Sequence, residues 1–146
     1  MNELFLFLSF SPGPFWLGLM FFPQKPAFQK VFDAYLWLLL GVFAVRALPT
    51  VPTLVPLLSN PTFDAMHAIF RTPEGFLSGW NHFIIGDLWF GRYIAADSAA
   101  QRLPAAVRVV SVLLTLYFGP MGLFSYLLIR TAARREWRIL PVTPTP

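Results

Sequence analysis

Long stretches with few or no charged residues alternate with short polar segments along the chain. The first covers residues 4–24 and the second covers about residues 27–48. About 20 apolar residues of helix cross a bilayer core, so each stretch predicts a membrane span, at about residues 4–22 and 27–48. The first span should be kinked or broken at Ser11-Pro12-Gly13-Pro14, because proline removes a helical hydrogen bond.

Two further helices complete the predicted membrane domain. The capping signal Thr72-Pro73-Glu74 opens a helix that should run to about Asp97, and its length of about 37 Å is enough to span the membrane. A last helix is predicted over about residues 104–133, with Pro120 in the middle of its uncharged stretch. The pattern therefore predicts an all-α integral membrane protein with four transmembrane helices in a single domain, residues 1–146.

The segment between the second and third spans has a different pattern. Three prolines within residues 49–60 argue against a regular helix, and this loop is apolar. A short interfacial amphipathic helix is predicted over about residues 61–71, capped by Asn60, because its apolar residues recur at spacings of three and four. The proline-rich tail, residues 139–146, should be extended or disordered.

Composition indicates lipid as the surrounding solvent. The chain is 56% hydrophobic and 12% charged, whereas soluble domains carry about 25% charged residues. The net charge of +4 is not arranged as a nucleic-acid-binding patch, so no nucleic-acid partner is expected. Four basic residues follow the last apolar stretch, where lipid headgroups are expected: Arg130, Arg134, Arg135 and Arg138.

The ends of the spans suggest a location and an orientation. No cleavable leader is recognisable ahead of the first span, which favours a bacterial inner or intracytoplasmic membrane. Four spans place both termini on one side together with the loop between the second and third spans. That side collects six basic residues and the other side five, so the positive-inside rule predicts cytoplasmic termini.

Most of the polar residues that could take part in a reaction or bind a ligand lie on the third helix. Asp87 is near its middle, and His82 is five residues earlier, about 140° around the helix, so the two do not face each other. One interpretation makes them proton-transfer groups in a pocket, or makes His82 a ligand to a pigment metal. The other makes them polar links between helices, with Asp87 neutral or paired with Arg92 or Arg108.

Other features of the last two helices also allow a structural and a functional interpretation. Gly75 and Gly79 form a pair of small residues that permits close helix packing, and the functional alternative is a groove for a flat, rigid ligand. Arg92 and Asp97 lie near the membrane boundary, where a structural ion pair is expected. The break at Phe118-Gly119-Pro120 is either a proline kink or the border of a ligand site. No protein-bound metal site is predicted, and motifs for nucleophilic hydrolysis, phosphate binding or dinucleotide binding are missing.

Two blocks of residues resemble a known family. They are Trp80-x-His82-x4-Asp87-Leu88-x2-Gly91-Arg92-x4-Asp97 and, twenty residues later, Phe118-Gly119-Pro120-x-Gly122-Leu123. Over roughly residues 63–130 the chain resembles small membrane proteins related to plant neoxanthin synthase, also called the abscisic-acid-deficient-four type. The resemblance implies a link to carotenoids. In the plant reaction, violaxanthin becomes neoxanthin when a ring epoxide opens and leaves an allene, and His82, Asp87 and Arg92 would then be the catalytic residues.

Two functions from different classes follow. The first is a non-enzymatic accessory subunit of a larger membrane complex, such as a photosynthetic pigment–protein assembly. It would have no covalent cofactor and would contact a carotenoid or chlorophyll-type pigment and membrane lipid. The alternative is a carotenoid-modifying isomerase of the neoxanthin-synthase type. The expected pigment or carotenoid contacts are Trp80, His82, Trp89, Phe118 and Gly119.

Overall fold

The computed structural model describes residues 1–135, 137 and 139. In this described part the chain forms eight α-helices, and a 3₁₀ turn, Leu48–Thr50, joins the third to the fourth. The helices are α1 (Asn2–Phe10), α2 (Gly13–Phe21), α3 (Pro26–Ala47), α4 (Val51–Ser59), α5 (Phe63–Arg71), α6 (Pro73–Ala100), α7 (Ala105–Phe118) and α8 (Pro120–Arg134). The all-α fold class is therefore confirmed.

Two helical stretches in the described part are long and apolar enough to cross a membrane. Asn2–Phe21 has a mean hydropathy of 1.6, and Pro26–Ser59 has a mean hydropathy of 1.8. The first stretch is broken into α1 and α2 at Ser11 and Pro12, as the prolines predict. Four spans are therefore not confirmed: two stretches are candidates, while α6 carries several charged residues and α7 has only 14 residues.

The predicted fourth span is wrong as a single helix. Residues 105–134 form two helices, α7 and α8, that are joined at Gly119. Gly122 near the start of α8 lies against Ser111 and Thr115 of α7, so α8 turns back along α7. At 1.5 Å per residue, each helix is about 21–23 Å long, which is shorter than a bilayer core of about 30 Å.

The expected loop after α3 is also wrong, because the chain continues there as the 3₁₀ turn and α4. Pro52 lies in the first turn of α4, where a backbone N–H would not take part in a helical hydrogen bond, so its absence costs nothing. Pro56 alone lies inside the helix, so the helix gives up few hydrogen bonds.

The short helix and the third long helix were predicted close to their observed bounds. The cap of α5 is Thr62 rather than Asn60, and its side chain accepts a hydrogen bond from the Ala65 N–H. Thr72 caps α6 as predicted, because its Oγ1 accepts from the Gly75 N–H at 3.0 Å. Apart from Ile139, the predicted tail at 139–146 lies outside the described residues.

The described helices divide into two compact units. Unit 1 comprises Met1–Phe15 and Gln24–Gly86. Unit 2 comprises Trp16–Pro23 and the described residues from Asp87 onward. The boundary falls inside α2 and inside α6, so each of these helices contributes one part to each unit.

Unit 1 is joined by an apolar core and a few hydrogen bonds between distant helices. Its fully buried side chains include Leu8, Phe32 and Leu39. The Trp80 indole N–H donates to Ser9 Oγ at 3.1 Å and ties α6 to α1. The missing side chains of Gly75 and Gly79 make room for Ile69 and Phe70 of α5, so the close packing expected of this pair is present.

Unit 2 contains the second half of α6 and the α7–α8 pair. Its apolar core includes Leu19, Leu88, Ile94 and Val112. Gly91 lies against Trp16 and Leu19 of α2, where a β-carbon would come within 3.0 Å of both side chains. This unit holds most of the residues that carry the family resemblance, and it positions the candidate site.

Candidate functional site

The centre of the candidate site is the contact between Asp87 and Gly119. Asp87 stands in the interior of α6, and its carboxylate lies directly against the backbone of Gly119, at the turn between α7 and α8. A β-carbon at residue 119 would be 2.9 Å from Asp87 Oδ1. The carboxylate is partly buried, and it forms no hydrogen bond or ion pair with any described residue.

Gly119 suits this position for two reasons. Its backbone angles, φ 54° and ψ −116°, lie in a region that residues with a β-carbon rarely adopt. A β-carbon would also come within 2.9 Å of the Asp87 carboxylate, which would then have to move aside. Pro120 follows at the start of α8, where its fixed φ favours a helix and its missing N–H costs nothing.

The turn also places Asp87 near the N-terminus of α8. The first N–H groups of a helix carry a partial positive charge, which stabilises a nearby anion by about 0.3–1 kcal/mol when exposed and more when buried. The C-terminus of α7, which carries a partial negative charge, ends at the same turn, so the two helix ends oppose one another at Asp87. In the described part of the chain Asp87 does not pair with Arg92 or Arg108, and Arg108 Nε instead donates to the Met20 carbonyl at 3.0 Å.

A second glycine allows α7 and α8 to approach closely. A β-carbon at Gly122 would be 2.1 Å from Thr115 Oγ1, 2.2 Å from the Thr115 N and 2.5 Å from the Ser111 O. Two of these atoms belong to the backbone and cannot move aside as a flexible side chain could. Gly119 and Gly122 therefore have structural roles that fix the turn against Asp87.

A buried polar network lies at the other end of unit 2. Asp97 Oδ2 accepts hydrogen bonds from the Tyr126 hydroxyl at 2.5 Å and from Arg130 Nη1 at 3.1 Å. Arg130 Nη1 also donates to the Tyr93 hydroxyl at 3.0 Å, and Tyr93 donates to the Ile139 carbonyl. Arg130 is only 1% exposed and Asp97 6% exposed, so this is a buried ion pair between α6 and α8.

Sequence reasoning predicted an ion pair for Asp97 but not its partner. Arg130 was expected at the lipid headgroups with the other basic residues near the C-terminus, and this is wrong because its guanidinium is buried. Arg134, by contrast, is exposed and donates to the Gln101 carbonyl. Arg138 lies outside the described residues. The missing signal was the reversal at Gly119, which brings the end of α8 beside the end of α6.

The remaining predicted site residues are divided between the two units. Trp80 and His82 belong to unit 1, where Trp80 contacts Phe5 and Phe76 and the exposed His82 ring lies 5.9 Å from the Phe43 ring. Arg92 is partly buried in unit 2. Trp89 and Phe118, predicted as pigment contacts, are 55% and 65% exposed.

The chemistry open to the site follows from these side chains. The partly buried carboxylate of Asp87 can donate or accept a proton, and the glycine beside it leaves room for a close approach. The Asp97–Arg130 network joins α6 to α8 through Arg130 Nη1, while Arg130 Nε and Nη2 are buried without a hydrogen-bond partner in the described part of the chain. No group of three or more His, Asp or Glu side chains that could hold a metal occurs in the described residues.

These features define a class before any family is considered: an all-helical protein with two stretches able to cross a membrane and polar links between its helices. The family model ABA DEFICIENT 4-like matches residues 3–126, and the chain belongs to this family. The resemblance seen in the two sequence blocks is therefore confirmed. No curated protein and no solved structure matches the chain.

Proposed function

We propose that this protein is a non-enzymatic subunit of a larger membrane complex and that it contacts a carotenoid or another pigment. The observation that carries the proposal is a stripe of exposed apolar side chains in unit 2. The stripe begins at the end of α7 and continues along α8. Its members are Tyr117, Phe118, Met121, Phe124 and Leu128.

The stripe suits a long, apolar, conjugated ligand. Met121, Phe124 and Leu128 are spaced by three and four residues, so they lie on one face of α8. Aromatic rings offer large, rigid apolar surfaces to such a ligand. Phe118 belongs to the stripe and Gly119 follows it directly, so two of the expected pigment contacts adjoin one another.

The polar residues of unit 2 support a packing role. Asp97, Tyr126 and Arg130 are directed to one another rather than to an open cavity. Bonds of this kind join transmembrane helices without taking part in chemistry. The two apolar stretches support a location in a membrane. A bacterial inner or intracytoplasmic membrane, with cytoplasmic termini and a photosynthetic assembly as host, remains part of the proposal.

Purification from gently solubilised native membranes tests this function. We expect partner chains in a fixed ratio and a pigment absorption spectrum, and we expect Phe118→Ala or Phe124→Ala to reduce the bound pigment. Phe10→Ala is a control of the same residue type, because Phe10 is also largely exposed but lies on α1. Isolation of the protein alone and without pigment would contradict the proposal.

A second function is favoured by one specific observation, the Asp87 carboxylate beside Gly119, which has no partner among the residues that the structure describes. A carotenoid isomerase of the neoxanthin-synthase type needs an acid that protonates the epoxide oxygen and a base that removes a carbon-bound proton. Opening of the C–O bond then leaves a hydroxyl group and an allene, without net redox change. Asp87 would be one of these groups, and by resemblance His82 and Arg92 would assist it.

Incubation of the purified protein with violaxanthin separates the two functions. Formation of neoxanthin that is lost in Asp87→Asn would favour the isomerase. Pigment that stays bound and chemically unchanged in both proteins would favour the accessory subunit.

A further inference from the structure

A shallow groove of about 500 Å³ follows one face of α3 in unit 1. Trp37 and Leu38 form one end, and Val45 and Arg46 form the other. Gly41 lies between the two ends, and nothing stands within 4 Å of the place where its β-carbon would be. The groove therefore exists because a glycine interrupts a row of large side chains.

The walls of the groove are apolar and unusually exposed. Trp37 is 75% exposed and Val45 is 74% exposed. Both belong to Pro26–Ser59, the more apolar of the two candidate membrane stretches. An occupant of this groove must therefore present a hydrocarbon surface over most of its contact area.

Arg46 gives the groove one polar end. It is the last basic residue of α3, and its Nε is buried without a hydrogen-bond partner in the described part of the chain. No described carboxylate pairs with its guanidinium. A cation at the border of an apolar span is stabilised by an anion at the same depth, and a phosphate can accept two hydrogen bonds from a guanidinium.

The spacing between the two ends matches one leaflet of a membrane. Helix α3 has 22 residues, so at 1.5 Å per residue it is about 33 Å long, which is close to the thickness of a bilayer core, and Arg46 is in its last turn. Trp37 is nine residues earlier, about 13 Å deeper. A molecule with a phosphate at Arg46 and an acyl chain reaching Trp37 would fit half of a bilayer core of about 30 Å.

We infer that the α3 groove binds an anionic phospholipid, with its phosphate at Arg46 and one acyl chain lying over Gly41 toward Trp37. The hydrocarbon walls exclude a free phosphate ion as the natural occupant, because such an ion would gain nothing from Trp37 or Val45. The net positive guanidinium favours an anionic lipid over a zwitterionic one.

Lipid titration followed by native mass spectrometry tests this inference. The full-length protein in mild detergent receives phosphatidylglycerol or phosphatidylcholine, and the bound adducts are counted. We expect Arg46→Gln to weaken phosphatidylglycerol binding at least fivefold, with little change for phosphatidylcholine. Gly41→Leu should weaken both, because the new side chain occupies open space in the groove without disturbing the fold.

Two matched variants serve as controls. Arg71→Gln removes a charge at the end of α5, and Gly86→Leu adds a side chain at another glycine with open space around it. Neither should change lipid binding. Thermal unfolding of every variant in the same detergent verifies that the fold is retained.

Three outcomes would overturn the inference. Equal losses in Arg46→Gln and Arg71→Gln would indicate nonspecific attraction between charges. Competition by glycerol 3-phosphate at the concentration of the lipid would indicate a free-anion site. Disappearance of a dimer mass in Gly41→Leu, without loss of lipid adducts, would show that a second copy of the chain covers the groove.

Discussion

The two ends of unit 2 each hold an aspartate of α6, and the surroundings of the two side chains differ. Asp97 and Asp87 are ten residues apart on α6, and both face elements of the α7–α8 pair. Asp97 is buried and bonded to Tyr126 and Arg130. Asp87 is only partly buried and lies against the backbone of Gly119 without a partner among the described residues. The first arrangement stabilises the fold, while the second leaves a carboxylate available for function.

The largest expected effect is at the Asp97 end. Arg130→Leu should lower the free energy of unfolding by about 3–5 kcal/mol, because it leaves the buried carboxylate of Asp97 without its counter-charge. Denaturation in detergent micelles, followed by circular dichroism, measures this loss. Arg134→Leu is the control, since Arg134 is exposed and its loss should change stability by no more than about 0.5 kcal/mol.

A double variant sharpens the interpretation of that loss. Asp97→Leu combined with Arg130→Leu should recover much of the stability, because both buried charges are then replaced by apolar side chains. If the double variant is as unstable as the sum of the single variants, the network contributes through packing and not through its charges.

The next largest effect is expected at the contact between α7 and α8. Gly122→Ala should destabilise the protein by about 1–3 kcal/mol, because the new methyl group overlaps backbone atoms of Ser111 and Thr115. Gly86→Ala makes the same chemical change where nothing lies within 4 Å, and it should stabilise α6 by about 0.5–1 kcal/mol. Equal effects of the two substitutions in the same unfolding assay would refute the close approach.

The local elements of unit 2 could be predicted from the sequence, whereas its long-range contacts could not. The start of α6 at Thr72-Pro73 and the break at Gly119 are local signals that the sequence contains. Glycine and proline in an apolar stretch are compatible with a kink in one helix and with a reversal between two helices. The packing of Gly122 on α7 shows that the chain reverses. Arg130 was misplaced for this reason, since a straight fourth helix would have carried it away from Asp97.

The prolines after α3 also show that a local signal can be misinterpreted. Three prolines within twelve residues predicted a loop, yet Pro52 and Pro56 lie in α4. The number of prolines was less informative than their positions, because a proline in the first turn of a helix costs no hydrogen bond.

A smaller effect is expected for the hydroxyl that bonds Asp97. Tyr126→Phe removes the 2.5 Å hydrogen bond between the Tyr126 hydroxyl and Asp97 Oδ2 but keeps the ring in the core. Hydrogen bonds between helices in membranes contribute about 0.6–1.7 kcal/mol, so the loss should fall within that range. Tyr117→Phe is the control, because Tyr117 is exposed at the end of α7 and should change the midpoint of unfolding little. A loss above about 3 kcal/mol would mean that Arg130 depends on Tyr126 to keep its position.

The smallest effect on stability is expected at Asp87. Asp87→Asn keeps the shape of the side chain and removes no hydrogen bond within the described part of the chain, so the free energy of unfolding should change by no more than about 0.5 kcal/mol. The same change at Asp97, Asp97→Asn, removes the negative charge opposite Arg130 and should cost several times more. A loss above about 1.5 kcal/mol for Asp87→Asn would show that Asp87 is a structural residue after all. A stable Asp87→Asn protein would leave the carboxylate free for function, and its effect on violaxanthin turnover and on bound pigment then decides between the isomerase and the accessory subunit.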